Sequence, residues 1–225
     1  MYESGLQNTE SVPAAKRTVG QLVAETIRLY GRNFWPSLAL GAVVAVFDWI
    51  AIGRSIGQQS ALLAAAAPFF TLAYMGACLL AARERRRPRL RSAATAFALG
   101  VVVFFPVGLL VRLFVLPAVA WLAVLGLSVP VALLEECGFR ESLRRARRLA
   151  TAGYMHALGS LATLLILYFV SRTALLLLLH GQADSTLRTA AFLADLVLSP
   201  ILFLGSAVLY FDQKARQDKA RVSRR

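Results

Sequence analysis

Chemistry-bearing residues are scarce in this chain of 225 residues, which has two cysteines, two histidines and twelve acidic residues. Cys78 and Cys137 show no pair spacing for metal or redox work. Neither His156 nor His180 has a Cys or His neighbour at ligand spacing, and neither has a Ser or Cys partner that would make a nucleophile. The expectation is a protein that is not an enzyme and carries no metal or other cofactor. Charge is also thin, at 16% of residues against about 25% in soluble domains. A cleavable signal peptide is not visible, because the first long apolar run starts near Phe34 and polar residues including Glu3 and Glu10 precede it.

What is present pulls in two directions. The chain is 58% hydrophobic, yet its 25 Lys+Arg give it a formal net charge of +13. So large an apolar fraction excludes a disordered basic protein. It also argues against a soluble nucleic-acid binder, so no nucleic acid is expected as partner. A multi-span membrane protein with its positive charge outside the hydrocarbon satisfies both facts.

Spans of about 20 apolar residues can be placed along the chain. Residues 34–53 and 61–82 form the first two. Residues 93–134 are too long for one and divide at a turn between Pro106 and Arg112. Residues 156–179 and 190–211 complete six, with polar links at 54–60 and 180–189. The expected fold is all-α: six transmembrane helices arranged as three hairpins, with interfacial amphipathic helices on the cytoplasmic side. Residues 1–16 read as a disordered cytoplasmic tail, 17–216 as a single six-span membrane domain and 217–225 as a basic cytoplasmic tail.

With that topology, 21 of the 25 positive residues fall on one side and four on the other. The positive-inside rule makes the rich side cytoplasmic, with both termini there. Two basic stretches have helical patterning. In 139–154, Phe139, Leu143, Ala146, Leu149, Ala150 and Tyr154 share one face at the 3.6 period. Arg144 and Arg148 fall opposite, with Arg140, Arg145 and Arg147 on the flanks. Glu141 is placed to pair with Arg145. In 18–30, Thr18 and Gln21 form a capping-box pattern, and Val19, Leu22, Val23, Thr26, Ile27 and Tyr30 line one face. Each stretch is either a linker hugging the membrane or a surface for anionic lipid or a partner.

A short internal repeat joins them. Arg28, Leu29, Phe34 and Leu38 match Arg148, Leu149, Tyr154 and Leu158 at a constant offset of 120. Arg89 and Leu90 open a middle unit less clearly, so the chain reads as three units of basic stretch plus hairpin.

Three stretches carry a family resemblance: V-P-V-A-L-L-E-E-C-G-F-R-E-S-L-R-R-A-R-R-L from Val129, L-Y-F-D-Q-K-A-R from Leu209, and R-L-Y-G-R-N-F-W from Arg28. With them the chain resembles the bacterial integral membrane domain first noted on glycerophosphoryl diester phosphodiesterases, which also occurs free-standing. A serine often follows the paired arginines in that family, and here Ala146 stands there. The resemblance implies membrane architecture and an acid at the ends of spans four and six. It does not imply phosphodiesterase activity, which belongs to a separate barrel of about 250 residues. The His-Arg-Gly type motif of that barrel is missing, since Ala157 follows His156 and Gly181 follows His180.

Charges within spans are the first functional suspects. Asp48, Arg112, Arg172 and Asp195 all fall in the outer half, with Arg172 and Asp195 the expected pair. They form either a structural lock or an outward-opening polar pocket for a headgroup. At the cytoplasmic edge, Glu135, Glu136 and Asp212 are expected to clamp the start of the next helix, with Asp212 meeting Arg144, Arg147 or Arg148. The leading functional expectation is a module that binds anionic lipid headgroups, or a protein partner or second copy, through Arg140, Arg144, Arg145, Arg147 and Arg148. The alternative is a small transporter or lipid-translocating component using the outer pocket.

Overall fold

The computed structural model describes residues 17–82, 88–111 and 114–222, and among these every regular element is a helix. Arg112 lies outside the described residues, as do four of the arginines at 83–87.

Helix α1 (Val19–Arg32) starts at the expected capping box, where the Gln21 N–H donates to the Thr18 hydroxyl and the Thr18 N–H donates to Gln21 Oε1 at 2.9 Å. Leu22 and Thr26 are buried and Leu29 packs against the core. Ile27 is 48% exposed, because it is offset by about 140° from Leu22 on the helix wheel. The chain breaks at Asn33 and continues as α2 (Phe34–Ala51).

Each hairpin then has one continuous arm and one broken arm. The first pairs α2 with α3 (Ile56–Ala65) and α4 (Ala67–Ala81), which are bent by 53° at Ala66. The second pairs α5 (Leu90–Leu110) with α6 (Val115–Leu125) and α7 (Ser128–Leu134). After α8 (Phe139–Ala152), the third pairs α9 (Tyr154–Leu178) with α10 (Asp184–Leu198) and α11 (Pro200–Val222). Pro68, Pro130 and Pro200 stand within the first three residues of α4, α7 and α11. The first turn of a helix tolerates the missing N–H, so proline suits a restart there. Pro106 behaves otherwise and sits inside α5.

Among the described residues five segments, α2, α5, α6–α7, α9 and α10–α11, are long and apolar enough to cross a membrane, and the bent α3–α4 pair counted as one span makes six. The chain is a multi-pass, all-α membrane protein. The expected link at 54–60 is shorter than its polarity suggested, because Ser55 and Gln58 form a second capping box that starts α3. The link at 180–189 likewise gives way to α10 at Asp184, an acid in the first turn where the helix dipole favours it.

The broken arms form the inside of the bundle. The α6–α7 and α10–α11 spans are 56% buried, against 28% for α2 and α5 and 11% for α9. The core joins Tyr74 and Cys78 of α4, Val129 and Leu133 of α7, and Leu204 and Ala207 of α11. One close approach lies beside Pro200, which has no N–H to donate to the Leu196 carbonyl four residues earlier. Gly41 of α2 lies against that oxygen, and a Cβ there would stand 2.1 Å from it.

The 120-residue offset extends to whole elements. Helices α1 and α8 each have 14 residues, and each is followed by one break residue, Asn33 or Gly153. The outer arms then start with exposed apolar side chains: Trp35 at 78% in α2, Leu90 at 88% in α5 and Met155 at 77% in α9.

Candidate functional site

The basic end of the bundle is built on α8. Ser142, Ala146, Leu149 and Ala150 are buried, and the last three pack with Leu127, Val131 and Tyr210. This burial leaves Arg140, Arg144, Arg147 and Arg148 exposed. The five arginines expected to act together divide into two groups. Arg144 pairs with Glu141, which displaces the anticipated Glu141–Arg145 pair. Arg145 instead reaches Glu135 at 2.6 Å. Among the described residues no acid pairs with Arg140, Arg147 or Arg148.

Glu135 accepts from side chains of α8 and α11 and not from the first N–H groups of α8. Its carboxylate, 8% exposed, collects Arg145, Lys214 at 2.9 Å and the Tyr210 hydroxyl at 2.7 Å. It therefore ties α7 to α8 and α11. Glu136 has a positive φ of 54° and holds Arg89 at 3.0 Å, joining the end of α7 to the start of α5. Asp212 meets none of Arg144, Arg147 and Arg148. It is fully buried between His156 and Arg216, both at 2.9 Å, because α11 packs against α9 and α1 here. Arg216 also donates to the Arg17 carbonyl before α1, and Gln213 donates to the Gly153 carbonyl at 3.1 Å. Burial and the neighbouring Glu135 push the Cys137 thiol above its ordinary pKa.

The far end holds the other cluster. Asp48 of α2, Arg172 of α9 and Asp195 of α10 come together as expected. The guanidinium pairs with Asp48 through Nη2 and with Asp195 through Nε at 2.9 Å. Tyr168, one turn before Arg172, donates its hydroxyl to Asp195. Asp195 is fully buried, while Arg172 and Asp48 keep about a fifth of their side-chain surface. The geometry is that of a lock across three helices. Arg112 lies outside the described residues.

The bundle also encloses a partly open cavity of about 210 Å³ just past the helix restarts. Phe70, Phe104, Val107, Leu122, Leu202 and Phe203 are among its lining residues, and none of the charged residues of either cluster is.

Fold and site define a multi-pass helical membrane protein with an ion cluster joining three helices at one end and a basic helix at the other. No family model, curated protein or solved structure matches the chain. Among the described residues, no three His, Cys, Asp or Glu are placed to hold a metal ion. Sequence reasoning missed Tyr168, Tyr210, Lys214, Arg216 and the role of His156. Two of these had a signal: Tyr168–Arg172 and Asp212–Arg216 are i,i+4 pairs on one helix face.

Proposed function

We propose that this protein is a non-enzymatic membrane module that binds anionic lipid headgroups along its basic end. The observation that carries the reading is α8: its apolar face is spent on the bundle, and Arg140, Arg147 and Arg148 are left without an acid. A basic residue near an anionic membrane surface contributes about 1 kcal/mol, so three contribute about 3 kcal/mol. The exposed Trp35, Leu90 and Met155 support a level for the bilayer boundary close to α1 and α8. The one-sided distribution of Lys and Arg supports a cytoplasmic location for this end and both termini, in a bacterial cytoplasmic membrane. The resemblance to the membrane domain found on glycerophosphoryl diester phosphodiesterases belongs to the same reading. It supports an accessory membrane role and no catalytic one.

The test is thermal stability of detergent-purified protein titrated with phosphatidylglycerol or phosphatidylcholine. Phosphatidylglycerol should raise the Tm more, and the excess should disappear in the Arg140→Gln, Arg147→Gln, Arg148→Gln triple variant. Equal shifts with both lipids in the unmodified protein would reject the proposal.

A further inference from the structure

The central cavity has a shape as well as a size. Its α5 wall is formed by Phe104, Val107, Gly108 and Val111, which lie one, three and four residues apart on one helix face. Its α11 wall runs from Leu202 to Leu209. Both walls cover seven residue steps, about 11 Å of helix axis. Its volume of about 210 Å³ exceeds that of an engineered apolar cavity of about 150 Å³ that takes up benzene. The polar groups on the lining already have partners: Ser206 donates to the Leu202 carbonyl at 2.7 Å, and the Tyr74 hydroxyl lies 3.5 Å from the Ser206 carbonyl. A water molecule needs two to four polar partners, and this lining is almost wholly apolar, the kind of cavity that stays dry. The cavity is partly open, in a bundle whose outer surface at this depth exposes the apolar side chains of Phe105, Leu109 and Trp121.

We infer that the cavity is a binding slot for a single hydrocarbon chain, belonging to a membrane lipid or a free fatty acid. The slot lies beside the three helix breaks: Phe70, Leu127 and Leu202 stand within four residues of them. The slot shares no residue with the basic helix, so the inference does not rest on headgroup binding there.

The experiment titrates delipidated, detergent-purified full chain with tritiated palmitate and, in a separate arm, with tritiated dipalmitoyl phosphatidylglycerol. Saturable uptake of about one molecule per chain is expected in at least one arm, and the arm identifies the source of the chain. Val107→Phe, which fills the slot, should lower uptake at least about tenfold. Val107→Ala, which widens it, should keep uptake and controls for misfolding of the first variant. The Arg140→Gln, Arg147→Gln, Arg148→Gln variant should take up palmitate as the parent does, which separates this inference from headgroup binding. Non-saturable uptake in both arms overturns the inference, as does equal uptake by Val107→Phe and the parent.

Discussion

The two ends of the bundle both bury carboxylates against arginine, with opposite balances. At the far end two acids, Asp48 and Asp195, share the single guanidinium of Arg172. At the basic end two acids, Glu135 and Asp212, are held by Arg145, Lys214 and Arg216, and further arginines remain on the surface of α8. At the end poor in cations, the buried charges are consumed in joining helices. Where they are in surplus, part of the set anchors the fold and the rest is available to an outside anion. The division also shows which residues should matter for stability and which for binding.

The largest effect is expected at the far end. Arg172→Met leaves two carboxylates facing each other inside the bundle, and loss of one partner of a buried pair costs about 3–5 kcal/mol. A large fall in Tm or yield in detergent is the expected reading. Combining it with Asp195→Asn should recover part of the loss, because the fully buried carboxylate then needs no cation. Failure of the double variant to improve on Arg172→Met would show that the cluster is not acting as a lock.

Asp212→Ala should come next. Arg216 and His156 lose their shared acceptor, and the tether of α11 to α9 goes with it. A loss of about 3 kcal/mol is expected, measured as thermal stability together with faster proteolysis before α1. Gly41→Ala tests packing between the two ends and should cost about 1–3 kcal/mol, because the new methyl meets the Leu196 carbonyl. If Gly41→Ala were as stable as the parent, the close approach of α2 to Pro200 would be wrong.

The smallest effects belong to the surplus side. Neutralising Arg140, Arg147 and Arg148 should change detergent stability by no more than about 0.5 kcal/mol per site, as for other unpaired surface residues. Cys137 should alkylate slowly at neutral pH and speed up only above the ordinary thiol range, since its raised pKa leaves less thiolate. Timed alkylation followed by mass spectrometry reads this directly, with the buried Cys78 as the unreactive reference.

Much of the architecture was legible because hydropathy and charge are coded in composition along the chain. The Thr18–Gln21 cap and the apolar face of α8 followed from periodicity. The Ser55–Gln58 cap obeyed the same pattern and was passed over because its segment looked like a polar link. Arg172 and Asp195 could be paired from neighbouring spans. Asp48 could be named as a candidate, but its meeting with Arg172 depends on α2 packing against α10. The partner of Asp212 was misjudged for a related reason. Arg216 was one turn away on the same helix, and His156 arrives only through the packing of α9 on α11. The central cavity has no sequence signature at all, since it depends on how residues from many helices pack around one another.

The central claim is that the unpaired arginines of α8 select anionic lipid while the paired ones hold the fold. It is tested most directly by purifying the protein from mixed bilayers of phosphatidylglycerol and phosphatidylcholine and measuring the retained lipid by mass spectrometry. The account predicts phosphatidylglycerol enrichment over the bulk ratio at low salt, reduced at about 1 M salt, where the Debye length is about 3 Å. It predicts that the enrichment is lost in the Arg140, Arg147 and Arg148 variant while the fold is kept. Retained lipid at the bulk ratio, or enrichment untouched in that variant, would contradict it.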